Sequence, residues 1–220
     1  GYLALMGLFN IDPAVMKPTA LALNILVTTI GTYKYSRAGY FSWKLFWPFA
    51  ITSIPFAFLG GRLNINGDIY KGIVGVLLLY AATRLFFTAR TAEEKPISSP
   101  PLWVALLSGA IIGFIGGITG VGGAIFLSPL ILLMGWATPK ETAGIATVFV
   151  LVNSISGLAG YWSNTFALPP QITYWGIAVT LGGWVGAEYG SRKLANPVIR
   201  QILAGVLLLG GLRMLLAALG

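Results

Sequence analysis

A run of glycines interrupts an apolar stretch near the middle of the chain. The stretch covers residues 102–134 and contains Gly116-Gly117-Ile118-Thr119-Gly120-Val121-Gly122-Gly123. It is too long for one membrane-spanning helix of about 20 residues and too short for two. Backbone polar groups in lipid must be satisfied, so such a break is tolerated only against protein or a water-filled cavity. We therefore predict a helical hairpin that enters the membrane, opens around a small polar cavity and returns.

The chemistry that this break offers is anion binding. A helix N-terminus carries partial positive charge and unpaired N–H groups. We expect the second arm of the hairpin to begin near Val121–Ala124, with Thr119 and Ser128 adding hydroxyl groups. No carboxylate lies in the break, so a cation would have to be bound by carbonyl groups alone. The sequence favours a small anion.

Further polar residues at the same depth could line this cavity, namely Asn24, Thr28, Thr29, Thr147, Asn153, Ser154 and Ser156. Small polar residues also bond across helices in membranes, so packing is the alternative, favoured for the Ser and Thr residues and open for the two Asn residues. Gly109 and Gly113 indicate close helix packing. Glu188 and Arg192 form an i,i+4 pair, with proton coupling through Glu188 as the alternative.

The composition places the chain among polytopic helical membrane proteins. Hydrophobic residues make up 56% and charged residues 9%, whereas soluble domains have about 25% charged residues. The net charge of +8 comes from basic residues at helix ends, which is typical of membrane topology and not of nucleic-acid binding. The chain has no Cys and no His, which excludes thiol redox chemistry and Cys/His zinc sites. With only six acidic residues, we expect no enzyme, no metal and no cofactor.

The chain contains an internal repeat. The segment Gly75-Val-Leu-Leu-Leu79 recurs as Gly205-Val-Leu-Leu-Leu209, and Leu5-Met-Gly7 matches Leu133-Met-Gly135. We assign residues 1–92 to the first repeat, 93–101 to a polar, proline-rich linker, and 102–220 to the second repeat. The first repeat should have its own glycine break before residue 1, so we interpret the chain as a fragment with an incomplete first hairpin.

Basic residues decide between a hairpin that crosses and one that returns. Crossing once would leave seven basic residues on each side, whereas a re-entrant hairpin gives ten against four. Basic residues gather on the cytoplasmic side, so the re-entrant arrangement is favoured. Each repeat then has three full spans, and the repeats are inverted. The predicted spans are Ala14–Tyr33, Trp43–Gly60, Ile69–Phe87, Ala143–Trp162, Ile172–Gly190 and Val198–Ala218.

The second repeat resembles the sulfite exporter TauE/SafE family. The resemblance rests on the segment Gly113-Phe-Ile-Gly-Gly-Ile-Thr-Gly-Val-Gly-Gly-Ala-Ile-Phe-Leu-Ser-Pro-Leu-Ile131, on Pro139-Lys-Glu-Thr-Ala-Gly-Ile-Ala-Thr147, and on Asn153-Ser154. Residues 13–31 match the family pattern more loosely. The resemblance implies a multi-pass protein of the inner (plasma) membrane. It would transport, and in particular export, small sulfur-containing anions such as sulfite, sulfoacetate or other organosulfonates.

Two mechanisms remain open at this point. One is alternating access around the broken helices, and the other is a channel-like facilitator for small inorganic or organic anions. Exposed aromatic faces either pack a homodimer or contact the lipid bilayer. The candidate substrate-binding residues from the polar side chains named above are Asn24, Thr28, Thr119 and Ser128. The resemblance implies a further set at positions that match the family pattern, namely Gly117, Gly120, Gly122, Gly123, Pro129, Thr147, Asn153 and Ser154.

Overall fold

The computed structural model describes residues 2–9, 11–87, 98–163, 172–192 and 197–219, the backbone alone for 85–87, 187–192 and 197–203. These ranges are helical and contain no strand. The helices are α1 (Tyr2–Leu8), α2 (Pro13–Arg37), α3 (Trp43–Arg62), α4 (Gly67–Phe87), α5 (Leu102–Thr119), α6 (Ala124–Leu133), α7 (Pro139–Trp162), α8 (Ile172–Arg192) and α9 (Pro197–Leu219). The predicted linker is described only from Ser98 onward.

The six predicted full spans are confirmed as helices, with ends that differ by up to four residues. They correspond to α2, α3, α4, α7, α8 and α9. Among the described residues, α2, α5 and α7 are long and apolar enough to cross a membrane. Helices α2 and α3 continue through Pro18, Pro48 and Pro55. The chain is a multi-pass membrane protein.

The glycine break is shorter than the sequence predicts. Gly116 and Gly117 were expected in the break, but they belong to α5, which ends only at Thr119. The physical reason lies in packing: a Cβ on Gly117 would overlap the Ala57 carbonyl of α3. At this point two backbones approach more closely than side chains allow, so Gly117 serves helix contact and the helical geometry is kept. Gly116 is helical too, but it lies against Gly122 and Gly123 of the break.

Helix α5 lies directly on α3 through glycines four residues apart. Gly109, Gly113 and Gly117 face the backbone of Phe49, Ser53 and Ala57, respectively. The residue numbers rise together on both helices, so α3 and α5 run in the same direction. The expectation of close packing at Gly109 and Gly113 is confirmed. One turn beyond Ala57 in α3, Gly61 meets the backbone of Gly157 in α7.

The two ends of the α5–α6 segment lie together. The backbone N–H of Ser98, before α5, donates to the carbonyl of Gly135, after α6, at 3.0 Å. Because α5 and α6 are joined by the four residues 120–123, the chain runs out along α5, turns at the break and comes back along α6. The break therefore lies at the far tip of this helical hairpin.

Helices α2 and α7 pack against each other between two hydrophobic clusters. One cluster combines α1, α2, α4 and α9, and the other combines α3, α5, α6 and α7. Where α2 meets α7, Gly31 lies against the Thr147 side chain and Gly157 lies against the Leu21 side chain. The tip of the hairpin reaches this α2–α7 pair, which positions the candidate site.

Candidate binding site at the glycine break

The backbone of the break uses conformations that favour glycine. Gly120 ends α5 with φ +78° and donates to the Gly116 carbonyl at 2.9 Å. Gly122 has φ +76°, and Gly123 precedes α6 with φ +89°. A left-handed conformation costs other residues about 1–2 kcal/mol. No side chain caps α6 at Gly123, and the first-turn N–H groups of a helix have no partner within it.

Side chains from two other helices hold the last carbonyls of α5. The buried Asn24 side chain of α2 donates from Nδ2 to the Gly120 carbonyl at 2.9 Å. The hydroxyl of Tyr70 in α4 donates to the Thr119 carbonyl at 3.0 Å. The Thr119 hydroxyl donates to the Ile115 carbonyl of its own helix at 2.7 Å. The first two bonds satisfy acceptors at the end of the helix that lipid could not satisfy.

Two neighbouring polar side chains of α7, Asn153 and Ser154, are buried without partners, and Ser154 faces the break. Asn153 is 1% exposed and Ser154 is fully buried, yet Nδ2 and Oδ1 of Asn153 and Oγ of Ser154 form no hydrogen bond with any described residue. A Cβ on Gly122 would lie 3.2 Å from Ser154 Oγ and 3.3 Å from Asn24 Nδ2. Buried polar groups in proteins are almost always hydrogen-bonded. The arrangement can therefore hydrogen-bond a small solute or water in a buried environment.

The structure brings six of the twelve predicted site residues to the break, namely Asn24, Thr119, Gly120, Gly122, Gly123 and Ser154. A seventh, Asn153, is buried next to Ser154 in α7.

The other five are used or placed differently. Thr28 and Thr147 donate their hydroxyls to carbonyls one turn earlier in their own helices, both at 2.6 Å. Gly117 packs on α3. Ser128 and Pro129 are half-buried in α6, whose buried face is formed by Leu127 and Ile131.

The two remaining polar residues named from sequence make helix contacts. Thr29 donates to the Ile25 carbonyl at 2.6 Å within α2. Ser156 donates to the Ile54 carbonyl of α3 at 2.6 Å. The side chains of Glu188 and Arg192 lie outside the described part of the structure.

Sequence reasoning missed Tyr70 and Lys17. Of the charged residues that the structure describes, Lys17 is the one whose side chain is buried, with 6% exposed. Its Nζ donates to the carbonyls of Gly60, Gly61 and Leu63 at 3.1, 2.6 and 2.8 Å. The ammonium group of Lys17, which belongs to α2, thus lies at the C-terminal end of α3, where it satisfies helix-end carbonyls and complements the helix dipole. The one sequence signal was a lysine four residues into a helix of membrane length.

A cavity of about 180 Å³ adjoins the start of α6. Its wall includes Val121, Ala124 and Ile125 from the break and α6. The opposite wall comes from α1, α4 and α9 through Tyr2, Leu3, Leu78 and Leu207. The lining is mainly apolar, so the polar groups of the site are those on the α2–α7 side of the break.

Comparison with known proteins gives one family model and several membrane transporter relatives that match most of the chain. The family model described as "Sulfite exporter TauE/SafE" matches residues 2–214. A "probable membrane transporter protein" of Sinorhizobium fredii is 40% identical over 98% of this chain and 88% of its own length. A protein of the same description from Methanocaldococcus jannaschii is 28% identical over 90% of this chain and 78% of its own length.

A "Sulfite exporter TauE/SafE family protein 3" of Arabidopsis thaliana is 30% identical over 40% of this chain and 18% of its own length. No solved structure gives a significant match.

Proposed function

Since the chain belongs to the sulfite exporter TauE/SafE family and is a membrane transporter protein, we propose that it exports small sulfur-containing anions. The substrates that we propose are sulfite, sulfoacetate or other organosulfonates. The chain would act in the inner membrane, and the anion would bind at the glycine break.

The observation that carries this proposal is the unpartnered pair Asn153 and Ser154. Both side chains are buried and form no hydrogen bond in the described part of the protein. Ser154 lies against Gly122 of the break, and Asn153 is its neighbour in α7. The Asn153 amide and the Ser154 hydroxyl supply N–H and O–H donors, and the first turn of α6 adds backbone N–H groups. Donors of this kind at a helix N-terminus suit an oxyanion. Oxygen atoms of a sulfite or sulfonate group would satisfy them.

The hairpin is re-entrant in this proposal. The hydrogen bond between Ser98 and Gly135 supports it, because it joins the residues that enter and leave the hairpin. Helix α5 has 18 residues and α6 has ten, and only α5 approaches the length of a full crossing. The tip at residues 120–123 would then lie within the bilayer, against protein on the α2–α7 side.

Inverted repeats and alternating access complete the proposal. Two contacts between α2 and α7 support the repeat: Gly31 meets Thr147, and Gly157 meets Leu21. A shift of 126 positions takes residue 31 to residue 157 and residue 21 to residue 147, so the two contacts are equivalent under the repeat. Two repeats that pack against each other through equivalent contacts are typical of transporters in which one half rocks against the other. Residues 102–220 would form one half, and residues 1–92 would form part of the other.

Uptake into proteoliposomes across a panel of anions tests this function. The panel contains sulfite, sulfoacetate, taurine, sulfate and matched carboxylates such as malonate. We expect saturable flux of sulfite and sulfonates, and weaker flux of carboxylates. Equal flux of carboxylates would refute the sulfur assignment. Flux that rises without saturation would replace alternating access by a channel-like facilitator.

A further inference from the structure

A second cavity lies at the end of the molecule where α3, α5 and α7 begin. Its volume is about 340 Å³, and its wall includes Ser42, Leu102, Ala137 and the residues just before α5. Leu102 begins the helix that Thr119 ends. At 1.5 Å per residue, the helix separates this cavity from the break by roughly 25 Å. The cavity is therefore a separate feature, at the base of the hairpin.

One part of the cavity wall is suited to a negative charge. Lys44 lines it and, within the described part of the chain, forms no ion pair and no hydrogen bond. Three hydroxyl groups, from Ser42, Ser98 and Ser99, belong to the same wall. Neither Ser42 nor Pro101 caps its helix with a side chain. The first-turn N–H groups of α3 and α5 therefore add partial positive charge.

The carboxylate in the wall is already engaged. Glu141 Oε2 accepts hydrogen bonds from the backbone N–H and the hydroxyl of Thr138, at 2.9 and 2.8 Å. These bonds form the capping box at the start of α7. The Glu141 carboxylate keeps its negative charge but is held at its own helix end, and it forms no ion pair with Lys44. A bound anion would therefore lie on the Lys44 side of the wall.

The remaining wall is apolar and aromatic. It includes Trp47, Trp136, Leu45 and Pro48. Trp136 is held in place by Phe49, with ring centroids 6.0 Å apart, whereas Trp47 is 40% exposed. An inorganic oxyanion gains nothing from such a surface, but a carbon chain that is removed from water does.

We propose that this cavity is a second binding site, distinct from the break, which takes organic anions with a short apolar body in preference to bare oxyanions. Lys44 and the hydroxyl groups bind the charged head, and Trp47 and Trp136 contact the carbon chain. The inference deepens the proposed function and rests on it, because the site would collect organosulfonate substrates before they reach the hairpin tip.

Equilibrium binding to the full chain in lipid nanodiscs tests the site, with 1-propanesulfonate and sulfite as probes. At the site that depends on Lys44, we expect propanesulfonate to bind more tightly than sulfite. Lys44→Gln should weaken propanesulfonate binding about tenfold, and Lys44→Arg should restore it. Trp47→Ala should weaken propanesulfonate binding and leave sulfite binding unchanged. Arg37→Gln is the matched control, since Arg37 is an exposed basic residue that contacts Tyr33 and does not line the cavity.

Two results would overturn the inference: wild-type affinity for propanesulfonate in both Lys44→Gln and Trp47→Ala, or Lys44-dependent binding of sulfite that is at least as tight as Lys44-dependent binding of propanesulfonate. The proposed function fails separately. If no anion is transported while Lys44-dependent binding persists, the transport proposal falls and the cavity remains a binding site. If sulfonates are transported while binding ignores Lys44 and Trp47, the cavity site alone falls.

Discussion

The side-chain amide of Asn24 donates a hydrogen bond to the carbonyl oxygen of Gly120 at 2.9 Å, although 96 positions separate the two residues. Asn24 lies near the middle of α2, and Gly120 ends α5 at the break. The bond ties the tip of the hairpin to a helix outside it. Any movement of the hairpin against α2 must break this bond or carry Asn24 along.

Replacing Asn24 by Leu should therefore both destabilise the protein and impair transport. The Gly120 carbonyl would lose its side-chain donor, and an unsatisfied buried acceptor costs about 1–3 kcal/mol. We expect a lower Tm for the purified protein and a clear loss of sulfite uptake into proteoliposomes. Thr29→Val is the control, because the exposed Thr29 hydroxyl bonds only to its own helix. Wild-type Tm and uptake in Asn24→Leu would contradict this role.

Replacing Asn153 by Leu should have the opposite effect on stability. Its amide group is buried and has no partner among the described residues, so an apolar side chain of similar size removes a desolvated polar group and breaks no bond. We expect an equal or higher Tm together with uptake reduced by about tenfold or more. Ser154→Ala should behave in the same way, for the same reason.

Ser156→Ala gives the reverse pattern and serves as the matched control. Its hydroxyl donates to the Ile54 carbonyl of α3, so its loss should cost about 1 kcal/mol of stability and leave uptake intact. A fall in Tm for Asn153→Leu with unchanged uptake would mean that Asn153 is a packing residue, as helix association alone would require.

Gly122→Ala should abolish transport. Gly122 has φ +76°, and its new Cβ would lie 2.6 Å from Val150 Cγ1 and 3.2 Å from Ser154 Oγ. The substitution should therefore both strain the backbone and crowd the Ser154 side chain. Two controls separate them: Gly39→Ala has the same φ of +76° with nothing within 4 Å, and Gly182→Ala has open space without a positive φ. If Gly122→Ala transports as well as both controls do, the break does not line the pathway.

The helices and the break could be predicted because membrane thickness limits what an apolar run can do. The stretch from Leu102 to Met134 fits neither one span nor two, and the structure divides it into α5 and α6. Asn153 and Ser154 could be named from sequence, because polar side chains in the middle of a membrane helix need a hydrogen-bond partner, either another helix or a solute.

The remaining features depend on tertiary contacts that no local pattern encodes. From sequence alone, Gly116 and Gly117 belong to the break. The structure shows that Gly117 instead packs against the backbone of α3. The buried Lys17 resembles an interfacial lysine until the end of α3 supplies three carbonyl acceptors. Tyr70 lies in α4, and its bond to Thr119 joins residues 49 positions apart. Hydroxyl groups such as Thr147 Oγ1 were ambiguous, because a membrane helix offers them its own carbonyls.

Cysteine labelling can test the re-entrant hairpin directly, because the chain has no native Cys. Ser99 precedes the hairpin, Lys140 follows it, and Asn64 lies in the loop between α3 and α4. In a re-entrant arrangement Ser99→Cys and Lys140→Cys should react with a membrane-impermeant maleimide from one side of the membrane, and Asn64→Cys from the other. Right-side-out and inverted vesicles give the two accessibilities. A hairpin that crosses the membrane would instead place Lys140→Cys on the side of Asn64→Cys, and this result would remove both the re-entrant hairpin and the inverted repeat that depends on it.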